Sequence, residues 1–151
     1  MSKQPHLLIS PGQIATKVLI CGEPDRVNRI AEQWLDNIEL VAENREYRII
    51  NGTYQGQAVT ICSTGIGAPS TIIAIEELNN CGVKSIIRVG SAGALQANIG
   101  MGELIIAEGA VRDEGGSKSY IASEFPAISD HRLVAALQTF LSDQNIDFHL
   151  G

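Results

Sequence analysis

The stretch Ile86-Ile87-Arg88-Val89-Gly90-Ser91-Ala92-Gly93-Ala94 changes character midway, and its reading decides the fold. An apolar, β-branched run carries one cation and then breaks into a loop of small residues. Ile86, Ile87 and Val89 do not alternate with polar residues, which predicts a strand buried on both faces. Arg88 falls where that strand leaves the core. Gly90 and Gly93 permit a tight turn and a close approach of a ligand to the backbone. In an open α/β sheet, ligands bind just beyond the carboxyl ends of the strands. A cation, the Ser91 hydroxyl and exposed N–H groups at that place suit an oxyanion such as phosphate. The same residues also fit a plain strand end, with Arg88 in a surface pair and the glycines merely turning the chain.

Working outward, Ser63-Thr64-Gly65-Ile66-Gly67-Ala68-Pro69-Ser70 precedes an amphipathic helix carrying Ile72, Ile73, Ile75, Glu76 and Leu78. That helix stops at Asn79-Asn80-Cys81-Gly82, with Gly82 as its C-terminal cap. A strand then begins at Ser85, so the connection reads as a βαβ crossover with parallel strands and right-handed chirality. Upstream, Val18-Leu19-Ile20-Cys21 is a core strand leading through Gly22-Glu23-Pro24-Asp25-Arg26 into a helix. Val27, Ile30, Ala31, Trp34 and Leu35 set its spacing, and Pro24 suits the first helical position. The free N–H groups of that first turn, with Arg26 beside them, form a candidate anion site. Glu23 and Asp25 would repel phosphate, and make sense if they orient the arginine or bind something neutral. The dinucleotide pattern Gly-x-Gly-x-x-Gly is absent, as is the Walker phosphate loop.

Elsewhere, Pro5 to Ile9 reads as extended, followed by a turn at Ser10-Pro11-Gly12. Ile38 to Val41 reads as a strand, and Ala42 to Tyr47 as a polar segment. Arg48 to Tyr54 and Gln57 to Ser63 form a hairpin about Gln55-Gly56. Leu104 to Val111 reads as one strand, Arg112 to Ser119 as a polar loop, and Asp130 to Asp143 as a helix. Ile146 to His149 looks like a strand beginning, so the chain is expected to be the first part of a longer fold. The expected architecture over residues 1–151 is a single α/β domain, three-layered α/β/α, around a mixed, largely parallel sheet.

Composition narrows the function. The 151 residues can bury a real core, and a net charge of −6 without a basic cluster argues against nucleic-acid binding. No apolar run approaches membrane-spanning length and the first residues are not a signal peptide, so a cytoplasmic protein is expected. Cys21, Cys62 and Cys81 are odd in number and widely spaced, which suits buried thiols better than a disulfide framework or zinc. Ser63, Ser70 and Ser91 lie near turns without a nucleophile elbow, and His131 and His149 have no recognisable nucleophile partner. Two strand ends carrying glycine plus arginine remain, Gly22 with Arg26 and Arg88 with Gly90 and Ser91. Together they could clamp phosphate without a metal.

Pro5-His6, Gly22 to Arg26, Asn44-Arg45-Glu46, Ser63 to Ser70, Arg88 to Gly93 and Glu124-Phe125-Pro126-Ala127 occur in order across the whole chain. This combination resembles the nucleoside phosphorylases of the uridine phosphorylase and hexameric purine nucleoside phosphorylase family. The resemblance implies reversible phosphorolysis of a nucleoside to free base and pentose 1-phosphate. Inorganic phosphate would be the co-substrate and no cofactor would be needed. It implies a phosphate site of Gly22, Arg26, Arg45, Arg88, Val89, Gly90 and Ser91, with Arg45 lent by a neighbouring subunit and Glu23 as the orienting carboxylate. It implies that His6 reaches across to the sugar, and that Ser91, Ala92 and Gly93 border the nucleoside. Glu46, Ile66 and Ser70 match positions that hold a monovalent cation between subunits in some uridine phosphorylases. The implied assembly is a homo-oligomer, a hexamer built from dimers.

Two departures stand out. Glu23 replaces the family's usual Asp, and Ser91-Ala92 resembles purine-cleaving and archaeal-type members more than the paired threonines of many bacterial uridine phosphorylases. The family's second half, which supplies base recognition and the acidic grip on the ribose, has no counterpart here. If these residues were the whole molecule, little or no activity would be expected. The alternatives are an N-ribosyl hydrolase on the same scaffold, or a non-catalytic phosphate- or nucleotide-binding module.

Overall fold

The computed structural model describes residues 2–151. Contacts divide the chain into two compact units, the first running through Ser91 and the second spanning Ala92–Gly151.

The first unit is built on a five-stranded sheet. Its elements are β1 (Lys17–Cys21), α1 (Pro24–Trp34), β2 (Asp36–Asn44), β3 (Tyr47–Tyr54), β4 (Gln57–Ser63), α2 (Ala68–Asn80) and β5 (Ser85–Arg88). The strand order is β2-β3-β4-β1-β5. β1 runs parallel to both neighbours, while β2, β3 and β4 form an antiparallel meander. The sheet is therefore mixed, and the β4–α2–β5 crossover passes over β1 rather than joining adjacent strands.

Alternation along the strands sorts the core into two faces. Val18, Ile20, Ile49 and Cys62 pack with Ala74 and Leu78 of α2 on one side. Cys21, Ile50 and Ile61 pack with Val27, Ile30 and Ala31 of α1 on the other. Pro24 opens α1 as expected. Gly82 follows the end of α2 at φ 94, and the Val83 N–H returns to the Leu78 carbonyl at 3.2 Å. This left-handed closure favours glycine.

Four local expectations are corrected. Ile86 and Ile87 are only half-buried, because β5 is the last strand of the sheet and pairs with β1 alone. Residues 5–7 form a turn rather than an extended segment, with Leu8 at φ 56, while Leu7 and Ile9 are fully buried. The polar run after Val41 is not a loop. β2 continues through Asn44, and Arg45-Glu46 alone turn the chain into β3. Leu104 to Val111 is not one strand but β6 (Leu104–Ile106) and β7 (Gly109–Ala110), which pair with different partners.

In the second unit, β6 pairs in parallel with β9 (Phe148–Leu150), and β7 pairs antiparallel with β8 (Ala127–Ile128). Helix α3 (His131–Asp143) is capped by the Asp130 carboxylate, which accepts from the Arg132 and Leu133 N–H groups. The loop before β8 is organised by Arg112. Its guanidinium donates to Ser117 Oγ and to the carbonyls of Ala122, Phe125 and Ile121.

All three thiols are buried and unpaired. Burial pushes the Cys62 thiol up to about 12, with the neighbouring Cys21 adding to the effect. A thiol neutral in the folded state but free to ionise near about 8.5 when unfolded favours unfolding as pH rises. Stability should therefore fall as pH climbs from that range towards 12, seen as a lower urea midpoint. Cys62 should also resist thiol reagents until denaturant opens the sheet. Labelling of Cys62 in the native protein at the rate of a free thiol would contradict this burial.

A second expectation concerns Gly52, where an added Cβ would lie 2.9 Å from Leu35 and 3.0 Å from the Asp36 carbonyl. Gly52→Ala should cost about 1–3 kcal/mol in urea unfolding, the usual cost of overpacking.

Candidate functional site

The register of the first unit brings several loops to one sheet edge. Cys21 lies opposite Ser63, and Ile20 opposite Arg88, so the carboxyl ends of β4, β1 and β5 are side by side. The Arg45-Glu46 turn joins the same edge, because β3 runs antiparallel to β4. Thr64 N–H donates to the Cys21 carbonyl at 2.8 Å, and Val89 N–H to the Ile20 carbonyl at 2.8 Å. These bonds extend the parallel pairing into the loops themselves.

Two groups of side chains occupy this edge. The first surrounds the end of β1 and comprises Gly22, Glu23, Arg26, Arg88 and Gly90. Glu23 Oε1 accepts from Arg26 Nη2 at 3.1 Å and from Arg29 Nη2 at 3.0 Å, so this carboxylate does hold an arginine in place. The Arg26 side chain is three-quarters buried, whereas Arg29 is largely exposed. Arg88 comes from the neighbouring strand, and its side chain has no hydrogen bond or ion pair among the described residues. Its guanidinium lies over Gly90, where any Cβ would overlap Nη1. Burial raises the Cys21 thiol pKa, and the nearby Arg26 and Arg88 charges oppose that rise. One cation from the first turn of α1 and one from the end of β5 thus lie at the same sheet edge, the first tied to a carboxylate and the second unpaired.

The second group lies around the β2–β3 turn and comprises His6, Asn44, Arg45, Glu46, Tyr47, Ser70 and Glu77. Arg45 is exposed and has no partner among the described residues. It also adopts φ 55, a left-handed conformation that costs a non-glycine residue about 1–2 kcal/mol. Ser63 Oγ donates to the Glu46 carbonyl at 2.6 Å, and Tyr47 OH to the Ser70 carbonyl at 3.0 Å. Glu46 packs on Gly65, where a Cβ would fall 2.5 Å from Glu46 Cγ and 3.3 Å from Ser70 Oγ. Ser70 Oγ lies 3.2 Å from the Ile66 carbonyl. Glu46, Ile66 and Ser70 are therefore neighbours, with the Ile66 side chain fully exposed.

His6 is held by a residue the sequence did not single out. Glu77 of α2 is 5% exposed, and its carboxylate meets His6 Nδ1 at 2.6 Å. Arg45 sits on the β2–β3 turn, two to three strand spacings from β1, or roughly 9–15 Å. It precedes Glu46 and Tyr47 at the start of β3, across β4 from the strand that leads to Arg26. Val89 and Ser91 follow Arg88 in the loop. Ala92 and Gly93 open the second unit, where Ala92 lines a cavity of about 340 Å³ with Ala94, Ile99, Met101, Glu103 and Ile105. No cluster of three His, Cys, Asp or Glu side chains suited to a metal occurs among the described residues.

This geometry defines an α/β protein with a paired-cation site at the carboxyl ends of its parallel strands. The chain belongs to the Phosphorylase superfamily, whose profile matches residues 16–151. It is 46% identical over its whole length to a guanosine phosphorylase of Halorubrum lacusprofundi, of which it covers 62%. It is 45% identical over 98% of its length to a uridine phosphorylase of Thermococcus kodakarensis, of which it covers 53%. Among solved structures, a uridine phosphorylase from Vibrio fischeri superposes on the entire chain with TM-score 0.95 at 59% identity, the chain covering 63% of it. A purine nucleoside phosphorylase from Toxoplasma gondii in complex with immucillin-H also gives TM-score 0.95, at 32% identity and 61% coverage of that chain. The chain thus spans between half and two thirds of the length of these relatives.

The left-handed backbone at Arg45 gives a direct test of the turn. Arg45→Gly should stabilise the first unit by about 1 kcal/mol in chemical denaturation, since glycine adopts that conformation without penalty. A loss of stability would show that the side chain, rather than the turn, holds the hairpin.

Proposed function

We propose that the protein is a nucleoside phosphorylase that transfers the pentose of a nucleoside to inorganic phosphate. The observation that carries this reading is the placement of Arg26, on the first turn of α1 after β1, and of Arg88, at the end of the neighbouring β5, on one sheet edge. Two cations with exposed backbone N–H groups and a hydroxyl at Ser91 hold a dianion in place and leave one oxygen free. That oxygen attacks C1′ of the sugar. The C1′–N bond breaks, its electron pair leaves with the base, and the base takes up a proton. The guanidinium groups fix the nucleophile and balance the positive charge that develops on the sugar ring.

Glu23 keeps Arg26 aimed at the phosphate. Gly22 and Gly90 leave room for the anion beside the backbone, and Val89 contributes to the loop that bounds it. His6 and Arg45 serve a neighbouring subunit's site, which accounts for an unpaired arginine presented outwards in a strained turn. Ser91, Ala92 and Gly93 border the nucleoside. Glu46, Ile66 and Ser70 form a monovalent cation site between subunits of a dimer-based hexamer that acts in the cytoplasm. The relatives named for uridine, guanosine and purine nucleosides leave both base classes as substrates to test. A hydrolase on this scaffold would have no use for two convergent cations.

The test is base release from uridine, inosine and guanosine with and without phosphate. Phosphate-dependent release with formation of pentose 1-phosphate is expected, and Arg88→Gln should lower kcat/KM for phosphate by about 100-fold, the worth of a charge-assisted hydrogen bond of about 2–3 kcal/mol. Gly90→Ala should weaken phosphate binding in the same direction by displacing the guanidinium. Equal release without phosphate would make the protein a nucleosidase, and phosphate binding without turnover a binding module.

A further inference from the structure

We propose that Glu77 is a positioning residue for His6: it locks the imidazole with its proton on Nδ1 and presents a bare Nε2 outwards. This rests on the reading of His6 as a sugar-contacting group. The buried Glu77 carboxylate takes three donors from one turn of chain. His6 N–H lies 3.1 Å from each oxygen, Leu7 N–H lies 2.7 Å from Oε2, and His6 Nδ1 lies 2.6 Å from Oε1. An ionised carboxylate only accepts hydrogen bonds, so the nitrogen facing it must carry the proton. The neutral ring then has its lone pair on Nε2, free to accept from a sugar hydroxyl.

The surroundings leave the ring little freedom. Leu7 and Ile9 are buried on either side of the left-handed Leu8. Asn44 Nδ2 donates to the His6 carbonyl at 2.8 Å, and Asn80 Nδ2 to Gln4 Oε1 at 3.1 Å. The backbone is therefore pinned from α2 and from β2, while the His6 side chain remains 39% exposed. Burying a carboxylate carries a large desolvation cost, and backbone N–H groups alone could be met by a neutral acceptor. A carboxylate adds control of the ring proton, which an amide does not provide. In Glu77→Gln the amide NH2 can donate to Nδ1 and send the proton to Nε2.

The measurement is the two-bond ¹H–¹⁵N spectrum of the full chain, labelled at histidine, in alkaline buffer where the imidazoles are neutral. His6→Gln assigns the His6 signals against those of His131 and His149. The wild-type protein should show the Nδ1–H tautomer at His6, and Glu77→Gln should shift it towards Nε2–H. A wild-type proton on Nε2 would overturn the proposal, and the wild-type spectrum decides this even if the variant does not fold. An unchanged tautomer in a folded Glu77→Gln would overturn it as well. In phosphorolysis, Glu77→Gln should raise the nucleoside KM roughly tenfold, the worth of one oriented hydrogen bond, and leave the phosphate KM unchanged. Equal rises in both would mark Glu77 as a purely structural residue and overturn its positioning role. A wild-type Nδ1–H signal with no turnover of any nucleoside would support the hold of Glu77 on His6 and sink the phosphorolysis reading alone.

Discussion

β1 lies hydrogen-bonded between β4 and β5 and runs parallel to both, and the whole arrangement of the site follows from that position. Parallel neighbours finish at the same edge of a sheet, so three loops leave the core side by side. Because α1 begins directly after β1, its first turn joins them there. The antiparallel meander adds the β2–β3 turn to this edge. The pairing of β1 with β5 sets Arg88 opposite Ile20, close to the start of α1 that carries Arg26. A short strand with three buried positions thus helps to fix the placement of charges that come from distant parts of the sequence.

Much of this was legible in the residues. The change from β-branched run to small-residue loop at Arg88-Val89-Gly90 marked a strand end correctly, and Pro24 and Gly82 marked a helix start and a helix stop. The errors have a common physical origin, since periodicity reports side-chain character and not partners. Ile86 and Ile87 have the composition of an interior strand, yet within this chain β5 lies at the edge and leaves them half-exposed. Leu104 to Val111 is continuously apolar, but its two halves pair with different strands. Glu77 was passed over because a carboxylate beside Glu76 on a helix reads as solvent-facing. Only the turn at residues 5–7, which brings three donors to it, explains its burial.

The two groups at the sheet edge handle charge in opposite ways. Beside β1, one cation is paired and another is left without a partner, so the local field favours an incoming anion. Around α2, the Glu77 carboxylate is satisfied by the protein's own N–H groups. An unpaired arginine next to a closed carboxylate network therefore appears on the turn at Arg45 as well, and there it is displayed on a strained backbone rather than folded inwards.

The loop ahead of β8 shows another kind of economy. Arg112 fixes it through the main-chain carbonyls of Ile121, Ala122 and Phe125, while Glu114 takes the N–H groups of Gly116 and Ser117. Atoms common to every amino acid carry these bonds. Arg112, Glu114 and the Ser117 hydroxyl carry the side-chain contacts, while Ile121, Ala122 and Phe125 enter these bonds through their carbonyls alone. Sequence can drift at such positions while the backbone stays in place, so a new surface could be presented there without rebuilding the fold beneath it.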